Sequence, residues 1–134
     1  MASVTLIVTP LVWLDDARHE HFVFLGEGFG AALAHEAALK MRETAGAWTE
    51  AYAAPEYRHG PVSATTERTV VWALGPVGDD VLEHAARTGA HVRESARDPM
   101  VELVGVHLQA EIEARRRDRD VDHPPFLSRS VVLG

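Results

Sequence analysis

HFVFLGEGFGAALAHEAALKMRETAG, His21 to Gly46, decides how this chain folds. Its first five residues are a continuous run of apolar and aromatic side chains, which fits a strand buried on both faces, and Gly26-Glu27-Gly28 breaks that run into a turn. From Phe29 to Ala45 the residues are strong helix formers, with Leu33, Ala37, Ala38, Met41 and Ala45 recurring at helical spacing, and Gly46 supplies a stop. A buried strand, a glycine turn and a helix make the opening unit of a parallel sheet.

Outward from that unit the alternation continues. Thr49 to Ala53 reads as a strand, and Pro55 to Pro61 as a short functional loop between prolines. Thr69 to Leu74 is a second continuous apolar strand, closed by Gly75-Pro76. Asp79 to Thr88 is a helix with acids in its first turn, and Ala90 to Glu94 is a weaker strand. Pro99 opens a helix running to about Arg117, with Val101, Val104, Leu108 and Ile112 as the stripe expected to face the core. The class is therefore α/β, a three-layer sandwich with a parallel sheet flanked by helices, flavodoxin- or Rossmann-like. Residues 1–134 read as a single domain, with residues 1–20 as an extension holding an expected edge strand at Val4 to Val8, and 118–134 as a charged tail.

A chain of 134 residues with 46% hydrophobic and 25% charged residues supports one globular core and no second domain. The formal charge of −7 and the lack of a basic stripe leave no footing for nucleic acid or an anionic membrane. The absence of cysteine excludes disulfide scaffolds, thiolate metal sites and a thiol nucleophile. The run Val4 to Leu14 is interrupted by Pro10 and is far shorter than the roughly 20 residues of a spanning helix, so a cytoplasmic location is expected. Among the 8 histidines only His19 and His21 are close in sequence, and no metal motif is present, so no metal is expected. A G-x-S-x-G elbow is also missing, which argues against a serine hydrolase.

Two readings compete for the glycine turn. Gly26, Gly28 and Ala31 fit the permissive dinucleotide spacing, but Glu50 starts the next strand and Glu56 lies beyond it, whereas the fingerprint places its acid near the strand's end. The other reading begins with Glu36, Lys40 and Glu43, which stand at i, i+4 and i+7 on one helix face. If that face lines a cleft, one carboxylate there can take a proton from a carbon beside a carbonyl. On spacing alone an ordinary solvent-exposed charge ladder explains the same residues.

Leu25 to Pro61 combines the glycine turn, the E-x-x-x-K-x-x-E helix and the run Glu50-Ala51-Tyr52-Ala53 leading into Glu56-Tyr57-Arg58-His59-Gly60-Pro61. In that combination it resembles the sugar isomerase (SIS) domain, specifically the second SIS half of the isomerase portion of glucosamine-6-phosphate synthase and related amino-sugar isomerases. Asp122 to Val131 is similar to the family's closing D-x-P-R-N-L-[AS]-K-S-V. The resemblance implies a five-stranded parallel sheet and ketose/aldose isomerisation of a phosphorylated sugar through an enediol, without a cofactor. It implies Glu43 as the base between C1 and C2, and His59 as the ring-opening group, usually supplied by a neighbouring subunit. Lys40 and Glu36 would complete the pocket, with Gly26 and Gly28 in the turn at the substrate.

The chain departs from the family in three places. Arg129 stands where the family has an imine-forming lysine; a guanidinium can hold a hydroxyl or phosphate but cannot form that imine. The S-x-S-G-x-T phosphate loop is missing, and Glu27 beside the glycine turn is a poor neighbour for an anion. The connection from Glu94 to Pro99 is short by about a strand, an edge that Val4 to Val8 is expected to fill. A lone second half fits a fragment, a homodimer, or a subunit whose partner chain supplies the phosphate loop. A non-catalytic SIS module that serves regulation or assembly is the alternative from a different functional class.

Overall fold

A computed structural model describes residues 19–128. Strand β1 (His21–Gly26) is followed by α1 (Phe29–Ala45), β2 (Trp48–Ala53), α2 (Ala54–Arg58) and a 3-10 turn (Pro61–Ala64). Then come β3 (Thr69–Ala73), α3 (Asp79–Arg87), β4 (His91–Arg93) and α4 (Pro99–Arg116). The sheet order is β2-β1-β3-β4, every pairing is parallel, and His21 aligns with both Trp48 and Thr69. The expected α/β sandwich is what forms.

β1 is buried along its whole length because it lies between two strands and under helices on both faces. Phe22, Phe24, Val70 and Trp72 point to the layer containing α1 and α4, where Leu33, Ala37, Met41, Leu103 and Val106 meet them. Val23, Leu25 and Val71 point the other way, onto Tyr57, Val62, Val81 and Ala85. The alternation of strand side chains thus builds two cores from one sheet. Gly46 ends α1 in the left-handed region at φ 64°, and its N–H reaches the Arg42 carbonyl at 2.9 Å. Asp98 caps α4 by accepting the Met100 N–H at 2.8 Å, with Pro99 at the first helical position.

Three expectations are corrected. The stretch Pro55 to Pro61, read as a loop, is mostly the short helix α2 followed by the 3-10 turn, because two prolines at helix starts pre-set the backbone angle. The sheet holds four strands among the described residues, not five, in keeping with the short connection between β4 and α4. The third correction concerns α4. Val101, Val104 and Leu108 are 45%, 51% and 44% exposed, while Glu102, Leu103, Val106, Gln109, Ala110, Glu113 and Ala114 are buried. The stripe Val101, Val104 and Leu108 faces outward because a second apolar row, Leu103, Val106, Ala110 and Ala114, packs against α1, and the polar groups between its members find partners elsewhere in the fold. Val4 to Val8 lies outside the described residues.

The main such partner set surrounds Glu102, which is 1% exposed. It accepts hydrogen bonds from Trp72 Nε1 at 2.8 Å, Ser95 Oγ at 2.5 Å and Arg97 Nη1 at 2.9 Å. Buried Arg93 lies 3.9 Å from it, and its guanidinium sits 4.4 Å over the Trp72 ring. Burial alone would raise the Glu102 carboxyl, but the hydrogen bonds from Ser95, Trp72 and Arg97 and the charge of Arg93 outweigh it and hold the group below its ordinary range.

Candidate functional site

The chain runs from β1 outward to β2 and then returns across β1 to β3, so the order of strand addition reverses between β1 and β3 while every strand stays parallel. Ligands in such sheets bind at the strand carboxyl ends beside that reversal. The glycine turn is there. A side-chain carbon on Gly26 would run into the Gly30 backbone, so the turn packs α1 tightly on the strand end. Gly28 adopts φ 55° and ψ −124° with open space around it, a sparsely populated backbone region that costs other residues about 1–3 kcal/mol. Gly26→Ala is expected to lose about 1–3 kcal/mol of stability through the clash, and Gly28→Ala about 1–3 kcal/mol through backbone strain alone. Urea denaturation midpoints check both, and a Gly26→Ala protein as stable as the parent would contradict the close packing.

Glu36, Lys40 and Glu43 are brought together as their spacing implies. Lys40 Nζ lies 3.6 Å from Glu36 Oε1 and 3.4 Å from Glu43 Oε2, with all three side chains about 40% exposed. Pairs this exposed contribute only a few tenths of a kcal/mol. The ladder therefore adds little to the fold, and its carboxylates are open to a substrate.

His59 is not on that face. It ends α2, where its backbone N–H closes the turn on the Glu56 carbonyl at 3.1 Å, leaving the imidazole exposed. It lines a cavity of about 580 Å³ shared with Glu27, Arg58, Asp80 and His84, on the side of the sheet covered by α2 and α3. Arg58 and Asp80 are ion-paired in its wall. Glu36, Lys40 and Glu43 do not line this cavity. Arg58 and His84 were not singled out from sequence, although Asp80 and His84, four residues apart, share one face of α3 and border the same space.

Glu50 is spoken for. Its Oε2 lies 2.5 Å from His21 Nε2, beneath the stacked Trp48 ring, and its Oε1 accepts the Tyr52 hydroxyl at 2.6 Å. That hydrogen bond, with burial, pushes the Tyr52 phenol up to about 12. The acid that a dinucleotide fingerprint would need is thus held mid-strand by structural partners. No group of three or more metal-ligating side chains occurs among the described residues. No helix there is long and apolar enough to cross a membrane. Arg129 lies outside the described residues.

The arrangement matches known proteins. The crystal structure of glucosamine-6-phosphate deaminase from Thermotoga maritima superimposes with a TM-score of 0.77 at 30% identity, over 87% of this chain and 41% of that one. The chain has the SIS domain fold. A glutamine–fructose-6-phosphate aminotransferase (isomerizing) from Idiomarina loihiensis is 39% identical over 148 residues, 89% of this SIS chain and 24% of the relative. The corresponding enzyme of a Synechocystis strain is 29% identical over 147 residues, 87% of this chain and 23% of its own length. The SIS chain thus spans about a quarter of the curated relatives it matches. No protein-family model matches it.

Proposed function

We propose that this SIS chain binds a phosphorylated sugar and interconverts its ketose and aldose forms through an enediol, in the amino-sugar metabolism of the cytoplasm. The observation that carries the proposal is the Glu36–Lys40–Glu43 face: open to solvent, nearly neutral for stability, and carried by α1, the helix that the glycine turn opens. Glu43 takes a proton from C1 of the open-chain ketose phosphate, leaving the enediol, and returns it at C2 to give the aldose, or runs the same two steps in reverse. Lys40 stands 3.4 Å from that carboxylate and Glu36 holds Lys40 from the other side at 3.6 Å. His59 moves the proton that opens the sugar ring. Gly26 and Gly28 shape the turn against the substrate, and Arg129 holds a hydroxyl or the phosphate.

The separation of His59 from Glu43 supports a site assembled from two chains, either two copies or one copy and a partner that brings the phosphate loop. If two copies share their sites, Glu43→Gln and His59→Ala are each inactive alone, and their equimolar mixture recovers about a quarter of the parent activity, because half of the dimers carry one intact site. The measurement is exchange of solvent deuterium into C1 or C2 of fructose 6-phosphate and glucosamine 6-phosphate. A mixture as inactive as its components would overturn the shared site.

The absence of the S-x-S-G-x-T loop from the sequence favours one second reading, a non-catalytic module that holds a phosphosugar or another chain. Native mass spectrometry with hexose and amino-hexose phosphates, combined with the exchange measurement, separates the two. Retained sugar without exchange would support the module and end the isomerase reading.

A further inference from the structure

The cavity bordered by His59 holds one negative charge that the fold does not use. Of its charged lining, Arg58 and Asp80 cancel one another in the ion pair between α2 and α3. Glu27 is what remains: it stands exposed in the glycine turn, and no side chain among the described residues pairs with its carboxylate. An anion, including the phosphate end of a sugar, is repelled from such a space, and a cation is drawn to it. The two imidazoles of His59 and His84 border the same cavity, and a neutral ring offers one nitrogen lone pair as an acceptor. The positive end of the α3 dipole opens on the cavity at Gly78, but Asp79 and Asp80 in the first turn of that helix offset it.

We propose that this cavity is an ammonium site, with Glu27 as the counter-ion and His59 and His84 accepting the remaining N–H groups, so that the chain takes an amine-bearing sugar in preference to its hydroxyl counterpart. For the sugar, though not for the charge, the inference rests on the reading given above. An ammonium has three N–H donors and no acceptor, which matches one carboxylate and two imidazole nitrogens. A hydroxyl in its place has a single donor and leaves the Glu27 charge unanswered. In a 2-amino sugar the amine sits one carbon from the anomeric oxygen, so an amine held at Glu27 keeps that oxygen in the cavity that His59 borders. The phosphate of the same sugar then lies away from Glu27, in keeping with a glycine turn that carries no phosphate-binding serine or threonine.

Isothermal titration calorimetry of the full chain, at about pH 7 and low ionic strength, compares glucosamine 6-phosphate with glucose 6-phosphate, and glucosamine with glucose. Each pair differs only in the group at C2. The parent chain is expected to bind the amine of each pair about tenfold more tightly, the effect of one hydrogen bond to a charged group. Glu27→Gln keeps the side chain's size and removes its charge, and is expected to bring each pair level to within about twofold by weakening the amine alone. In the nuclear magnetic resonance spectrum, glucosamine is expected to shift the imidazole signals of His59 and His84 but not that of His107, exposed on α4 across the sheet. Equal affinity for amine and hydroxyl sugars, binding of none of the four, a preference that survives Glu27→Gln, or shifts that spare His59 and His84 would each overturn the amine site. A preference for glucosamine over glucose with neither phosphate ester retained would uphold it and sink the sugar-phosphate reading instead.

Discussion

Glu43→Gln is expected to reduce solvent-proton exchange at C1 and C2 of a bound sugar phosphate by about 10²–10⁴-fold, the usual contribution of a positioned general base. The amide keeps the size of the carboxylate and an oxygen for Lys40, now 3.4 Å away, but has no basic lone pair for a carbon-bound proton. Because the Lys40–Glu43 pair is exposed, its loss should move the unfolding midpoint by no more than a few tenths of a kcal/mol. Sugar-phosphate affinity should change only a few-fold, since the phosphate is not held by this residue. The combination of abolished exchange with intact folding and binding is what distinguishes a base from a strut. Exchange that survives the substitution at parent rates would sink the assignment of Glu43.

The second large effect is on stability. Glu102→Ala removes the carboxylate that faces buried Arg93 and accepts hydrogen bonds from Trp72, Ser95 and Arg97. Breaking a buried pair from one side costs about 3–5 kcal/mol, a large part of a small domain's stability. Urea denaturation at neutral pH measures it. The same network sets an acid limit. In the folded chain the Glu102 carboxyl sits below its ordinary 4.5, so its stabilisation is complete above about pH 4.5 and is lost as pH falls through the lower folded value. Glu102→Gln should remove this part of the acid sensitivity while remaining less stable than the parent at pH 7. A variant whose stability falls as steeply as the parent's between pH 5 and 3 would show that the acid limit comes from other carboxylates.

Strand and helix identities were legible because local signals agreed with the fold. HFVFL and TVVWAL are continuous apolar runs since both strands are covered on both sides, and glycine or proline ends each of them. The helix face of Glu36, Lys40 and Glu43 was equally legible, because spacing within one helix survives any tertiary arrangement. α2 was missed because five residues between prolines carry too little periodicity to distinguish a short helix from a turn. The cavity neighbours Arg58 and His84 come from α2 and α3, and no local pattern joins residues on separate elements.

The sequence by itself determined the order of the strands and of the three longer helices, the parallel sheet and the residues that resemble a sugar isomerase, since each of these depends on neighbours within a few turns of chain. Tertiary structure alone decided two things. It chose Leu103, Val106, Ala110 and Ala114 as the inward row of α4, because Glu102, Gln109 and Glu113 between them are satisfied there by groups such as Trp72, Arg93 and Arg116, and left Val101, Val104 and Leu108 outside. It also set His59 in a cavity apart from Glu43, because α1 lies over one face of the sheet and α2 and α3 over the other, and a sheet one residue thick separates what the chain places sixteen positions apart.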